Sequence, residues 1–419
     1  MPLTLHAAPV VLSMAGGPPL RDGAVLVDGD RIAAVGPAAG LAERFPAARV
    51  RQWRGVLTPG LVNAHAHLQY TDFGHLAESG LPFPEWLAAI NRERAGYSEA
   101  RWQESARRGV HLMLKSGTTA VADIVTHRCV LVPVARSGIR GISYIEVISD
   151  GPRWTEKRRA RLLDALATPL SRTLGVSPHT PYTVGTAVFA ESVAIAREQG
   201  LRVHPHLAES AHELEFVRSG TGLFETVNRV VGFDHELLDG GSGLAPAAYL
   251  DSLDVLGSDV HVAHGVHLDA ADREILRKRQ TPVALCVRSN KILQAGEAPV
   301  ADYLAEGSPL AIGTDSLASS PSLDLWEEAA AVRELAVRQG YTAADLDRRL
   351  VEAATLGGAQ AMGLADAGRL AEGLPADFAV FDVPADPADP DLDPYASLLA
   401  HGAGACIGTS LNGRLVHRR

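Results

Sequence analysis

Cysteine is scarce in this chain: Cys129, Cys286 and Cys406 are the only three in 419 residues. Widely separated and odd in number, they exclude both a disulfide framework and a four-cysteine zinc site. Long apolar runs are also missing, and none approaches the ~18 residues that a bilayer-spanning helix needs. The opening MPLTLHAAPVVLSMAGG has no basic residue ahead of its short apolar stretch, so it reads poorly as a secretory signal. A cytoplasmic location is the expectation. Positive charge is in deficit, with 39 Lys and Arg against 49 Asp and Glu, a net charge of −10. Phosphate backbones are bound by clustered Lys and Arg, so no nucleic-acid partner is expected, and no membrane. No internal repeat is visible, and low complexity is confined to ADPADPDLDP, residues 385–394.

What the chain does have is apolar content. Hydrophobic residues make up 46% and charged residues 21%, enough for a large buried core. At ~150 residues per domain the length suggests two or three domains, although one α/β barrel takes ~250 alone. Residues 1–55 are short apolar pieces broken by Gly, Pro and Asp, and GAVLVDGDRIAAVG reads as two strands joined at Asp28-Gly29-Asp30. The same texture returns in GRLAEGLPADFAVFDVP and ACIGTSLNGRLVHRR. The expectation is a composite β domain, a small β-sandwich built from residues 1–55 and 367–419. Between them, residues 56–366 alternate strands with longer helical stretches, the mark of βα units around a parallel sheet. Eight strand candidates (VLTPGLVNAH, TTAVADI, IRGISYIEV, TLGVSPH, RVHPHLAE, DVHVAHGVHL, PVALCV and PLAIGTD) favour a (β/α)8 barrel, fold class α/β, over an open sheet.

Reactive groups recur at the C-terminal ends of these candidates, where the loops of a barrel converge on one mouth. His65 and His67 lie two apart on a strand, so both imidazoles face the same side. By itself an HxH pair is a weak signal. His204, His206 and Glu209 end another strand, where an imidazole and a carboxylate three residues on can supply a metal ligand and a proton donor. Taken alone, two ordinary core or surface histidines would be the favoured explanation. His264, at a His-Gly corner, and Asp315, at the end of an apolar strand, each have a plain structural reading too: a polar turn residue and a helix cap. Four such accidents in the order HxH, His, His, Asp are hard to assemble, and together they point to a metal centre.

The segments PGLVNAHAH, HLAE, AHGVHL and GTDSLAS resemble the amidohydrolase superfamily, in its branch of nucleoside and aminoheterocycle deaminases and chlorohydrolases. The resemblance covers nearly the whole chain. It implies one divalent metal per subunit, Zn2+ or alternatively Fe2+, on His65, His67, His206 and Asp315, with Glu209, His264 and Asp315 catalytic. Where binuclear members carry a bridging lysine, at the end of the fourth strand, this chain reads GVSPHT, which implies a single metal. A zinc centre of the cytidine-deaminase type is excluded, because no P-C-x-x-C pair is present.

HAHLQYTDFGHL, PFPEWL and GTDSLASSPSLDLWEE are most similar to the aminodeoxyfutalosine deaminases of that branch. This implies hydrolytic deamination of 6-amino-6-deoxyfutalosine to futalosine and ammonia, a step of menaquinone biosynthesis. The substrate would be a small aminopurine nucleoside contacted by His179 and Trp86. Its benzoate tail calls for a cation, for which Arg288 leads, with Arg92, Arg94 and Arg153 as alternatives. In the LCVRSN run, Val287 stands where related enzymes carry proline. Rival readings are a 5′-methylthioadenosine/S-adenosylhomocysteine or adenosine deaminase, a chlorohydrolase or cyclic-amide hydrolase on the same fold, and a metal-free binding scaffold. The sequence does not set the oligomeric state, and a homodimer is the commonest assembly to expect.

Overall fold

Pro59 and Gly60 cut the first apolar run in two. In the computed structural model, which describes residues 3–419, VLTPGLVNAH is two strands rather than one. Val56–Pro59 joins a sheet made by the chain termini, and Leu61–Ala66 is the first strand of the barrel. At Gly60 a Cβ would collide with the Thr119 side chain, so only glycine lets the chain pass from one sheet to the other.

The barrel strands follow in order: Leu61–Ala66, Thr118–Val125, Arg140–Val147, Thr173–Pro178, His206–Leu207, Val262–His264, Val283–Leu285 and Leu310–Ile312. They pair in parallel as two four-stranded sheets. Two seams close the circle. Val203 bridges Val176 on the fourth strand and Val260 before the sixth, and Ala66 bridges Asp315. At the second seam the Asp315 N–H donates to the His65 carbonyl at 3.0 Å. Strand five is only two residues long because Pro205 has no N–H to give a ladder, although its carbonyl accepts from Ala263 N at 3.0 Å. Helices cover the outside, as amphipathic patterning requires. Glu99–Lys115 is capped by Ser98, and Leu325–Arg338 by Asp324, each side chain accepting from a backbone N–H of the first turn.

The termini form one eight-stranded sheet. The hairpin read from GAVLVDGDRIAAVG is present as Leu20–Asp28 and Arg31–Pro37, with Gly29 at φ 62° in the turn. From the far end come Phe378–Phe381, Cys406–Leu411 and Arg414–Arg418. The segment leading into Phe378–Phe381 also holds the hairpin: Ile32 N donates to the Leu374 carbonyl at 2.8 Å, and Ala376 N to that of Asp30 at 2.8 Å. One apolar face encloses Val25, Ile32, Leu57, Phe378 and Ile407. Other residues of these strands, Val10, Val56, Ala379 and Phe381, pack into the same hydrophobic cluster as the barrel. The Pro/Asp loop is pinned by Arg21, whose guanidinium donates to the carbonyls of Asp386, Asp389, Pro390 and Leu392. The predicted β segment starts at residue 1, and its first two residues lie outside the described ones. No helix among the described residues is long and apolar enough to cross a membrane.

Candidate metal centre and catalytic pocket

Four strand ends bring the predicted ligands together. His65, His67 and His206 form one group and His65, His264 and Asp315 another, with ligand atoms in each group within 4.8 Å of one another. Asp315 Oδ1 stands 3.6 Å from His65 Nε2 and 3.5 Å from His67 Nε2. The other carboxylate oxygen, Oδ2, accepts from Ser289 Oγ at 2.6 Å and Ser319 Oγ at 2.8 Å, which turns Oδ1 toward the imidazoles. Three non-glycine residues here adopt left-handed backbone: Ala208 at φ 54°, His264 at 73° and Asp315 at 58°. Such strain collects where side chains must be aimed away from the run of a strand.

Hydrogen bonds around the cluster set the imidazole tautomers. His204 Nδ1 donates to the His261 carbonyl at 2.9 Å, so a neutral His204 has only a lone pair on Nε2. That lone pair accepts from His65 Nδ1 at 2.9 Å, leaving His65 Nε2 bare. His206 Nδ1 donates to the His179 carbonyl at 3.1 Å, and His264 Nδ1 to Asn290 Oδ1 at 2.9 Å, which frees both Nε2 atoms in turn. Burial lowers the pKa of His65 to about 4 and that of His206 well below its ordinary value, so both are neutral donors. His65 Nε2 is buried without any hydrogen-bond partner. Bare, neutral nitrogens converging on one carboxylate oxygen fit a divalent cation, in a site that keeps His/Asp chemistry and lacks thiolates.

Glu209 stands beside this cluster, its Oε1 3.7 Å from His264 Nε2. Burial pushes the Glu209 carboxyl above its usual range, against the nearby His264. The turn presenting it is held by Glu213, which accepts from the backbone N–H groups of Ala208 at 2.6 Å and Glu209 at 3.1 Å.

A cavity of about 280 Å³ opens over these groups, lined by His67, His206, Glu209, His264 and Asp315 at its base. His179 and Trp86, predicted to touch substrate, line it as well. His179 Nδ1 is tied to Thr183 Oγ1 at 2.7 Å, and Trp86 Nε1 donates to the Ala318 carbonyl at 2.7 Å. Arg288 does not line it, a correction to the sequence expectation. Its guanidinium is neutralised by Glu327 and by Glu328 at 2.8 Å, and also donates to Ser322. Arg153 is paired with Asp150, and Arg92 is exposed outside the cavity. Arg94 does line it. It lies 5.7 Å from the Tyr70 ring centroid, bonds weakly to Asn91 Oδ1 at 3.4 Å, and pairs with no carboxylate among the described residues.

Glu146 was missed in the sequence. It ends the third strand, IRGISYIEV, as the ligands end theirs, and that position was the available signal. Among the described residues no lysine lines the cavity, and the fourth strand runs out through Ser177 and Pro178 to His179.

Residues 56–415 match the model of the amidohydrolase family. This chain belongs to that family. It is a hydrolase acting on C–N bonds, in a metal-dependent family. Residues 23–48 also match the imidazolonepropionase-like composite domain of bacteria. The chain is 32% identical over 404 residues to a 5-methylthioadenosine/S-adenosylhomocysteine deaminase of Pelotomaculum thermopropionicum, covering 93% of this chain and 86% of that one. It is 31% identical over 357 residues to an aminodeoxyfutalosine deaminase of Deinococcus radiodurans, covering 81% of each. A solved adenosine deaminase of Xanthomonas campestris with bound zinc superposes with a TM-score of 0.82 at 26% identity, covering 99% of this chain and 93% of that one.

Proposed function

We propose that this enzyme deaminates an aminopurine nucleoside by hydrolysis, with 6-amino-6-deoxyfutalosine as its substrate and menaquinone biosynthesis as its pathway. The observation that carries the reaction is the pairing of an acid, Glu209, with a His/Asp cluster beneath one cavity. His65, His67, His206 and Asp315 would hold one divalent metal, zinc in this reading. When bound, it supplies acidification of a water molecule.

The chain's own residues do the rest. Asp315 takes a proton from the attacking water, and His264 holds the oxygen by a hydrogen bond. Glu209, whose carboxyl burial pushes above its usual range, gives a proton to the ring nitrogen next to the carbon under attack. The new C–O bond makes that carbon tetrahedral. As the C–N bond breaks, Asp315 passes its proton to the leaving amine, which departs as ammonia. The hydroxyl proton returns to Glu209, leaving a ring carbonyl. Each transfer is worth ~10²–10⁴-fold in rate.

Arg94 supports a substrate with an anionic tail, because a guanidinium without a carboxylate partner is the natural seat for one. The relative in Deinococcus radiodurans supports the futalosine reading, and that in Pelotomaculum thermopropionicum supports 5′-methylthioadenosine or S-adenosylhomocysteine equally. The deciding experiment measures kcat/KM on aminodeoxyfutalosine, S-adenosylhomocysteine, 5′-methylthioadenosine and adenosine. A tenfold preference for aminodeoxyfutalosine, about 1.4 kcal/mol in the transition state, is expected. Preference for another of the four would move the substrate and leave the reaction standing. A cytoplasmic homodimer is the setting proposed for it.

A further inference from the structure

The carboxylate of Glu146 lines the cavity, takes no part in the reaction above, and is nonetheless built in place. Its side chain is only 4% exposed, yet it lines the cavity. Oε2 accepts from Thr126 Oγ1 at 2.7 Å. Thr126 is itself fixed from two sides, by Gln69 Nε2 at 2.7 Å and by the Tyr70 hydroxyl at 3.2 Å, and Gln69 Oε1 in turn accepts from His127 N at 3.0 Å. This scaffold anchors one carboxylate oxygen and leaves the other, Oε1, 3.9 Å from His179 Nε2 on the cavity side. That separation is longer than a hydrogen bond, so Oε1 keeps its acceptor capacity for a ligand.

A carboxylate oxygen with free lone pairs, held in an otherwise largely apolar wall, recognises O–H donors and is costly to leave unmet. We propose that Glu146 accepts the vicinal hydroxyls of the substrate's ribose and so makes the enzyme specific for ribonucleosides. This rests on the aminopurine nucleoside reading above, but not on which 5′ tail the nucleoside carries. The side chain is a specificity-determining group on the sugar side, while Glu209 and Asp315 act at the ring.

The test compares adenosine with 2′,3′-dideoxyadenosine as substrates of the metal-loaded enzyme, and inosine with 2′,3′-dideoxyinosine as ligands by calorimetry. Wild type and Glu146→Gln are measured side by side, with Thr126→Val as a second variant that keeps the carboxylate and removes its anchor. The wild type is expected to favour the diol by at least tenfold in both readouts. Glu146→Gln should lose most of that ratio by acting on the diol compounds alone, and Thr126→Val should lose part of it. An unchanged ratio in Glu146→Gln, with both members of each pair weakened equally, would show that Glu146 merely orients His179 and would overturn the proposal. Wild type that neither turns over nor binds any of the four would instead overturn the nucleoside reading, and the inference with it.

Discussion

At the scale of single residues, the site is a set of side chains whose free atoms are decided by their neighbours. His65 offers Nε2 because its proton sits on Nδ1, where it donates to His204 Nε2. His204→Ala removes that acceptor, and the metal dissociation constant is expected to rise ~10–100-fold, read by competition with a chelator. His204→Asn, whose amide oxygen can still accept, should recover part of the loss. Glu209→Gln removes the acid without touching the ligands. Its kcat should fall ~10²–10⁴-fold while one metal per chain is retained. His65, His67, His206, His264 and Asp315 could be singled out because each stands at a strand end, whatever surrounds it, and the fold brings them together. Arg288 was misread for the complementary reason: an arginine's role depends on which carboxylates reach it. Here Glu327 and Glu328 lie some forty residues away in sequence but beside it in space. Arg94, with no such partner, could not be told from Arg288 by spacing alone.

At the scale of elements, the eight βα units were legible from alternating pattern, and the hairpin from its Asp-Gly-Asp turn. The split at Pro59-Gly60 was hidden, because both halves of VLTPGLVNAH are equally apolar and only pairing partners distinguish them. Two titratable side chains are also buried among the barrel strands. Arg172, just ahead of the fourth strand, donates to the carbonyls of Val121, Ile139, Arg140 and Ile142 and to Ser143 Oγ, at 2.6 to 3.1 Å. Arg172→Met would strand those acceptors, and urea unfolding should show a loss of ~3–5 kcal/mol. Asp123, on the second strand, is raised to about 7 by burial, despite Arg172 and the Leu68 N–H that it accepts at 3.0 Å. A raised carboxyl keeps its proton in the folded state, so its contribution to stability is complete near pH 4 and is lost as pH rises through 7. Between those values the slope is about 1.4 kcal/mol per pH unit. Asp123→Asn should remove that slope, so unfolding free energies of variant and wild type, measured from pH 4 to 8, should diverge in favour of the variant as pH rises.

At the scale of the whole molecule, the sheet built from both termini is part of the barrel's own core. Val10, Val56 and Phe381 share one hydrophobic cluster with barrel residues such as Val121, Val176 and Leu285. The two parts are therefore expected to unfold together. Circular dichroism and intrinsic fluorescence should give one coincident thermal transition, and Phe381→Ala, costing ~3–5 kcal/mol of unfolding free energy as a buried aromatic truncation, should move it to lower temperature without splitting it. A lower-temperature step confined to the β sheet would contradict this. The same closure explains why the ligands meet: the seam at which Asp315 N bonds the His65 carbonyl brings the last strand end to the first.

The most direct measurement follows ammonia release from an aminopurine nucleoside while metal-free enzyme is titrated with zinc. Activity rising linearly and breaking at one zinc per chain is expected from a single His/Asp centre serving one acid, Glu209. No ammonia at any zinc level, or a break only at two per chain, would contradict it.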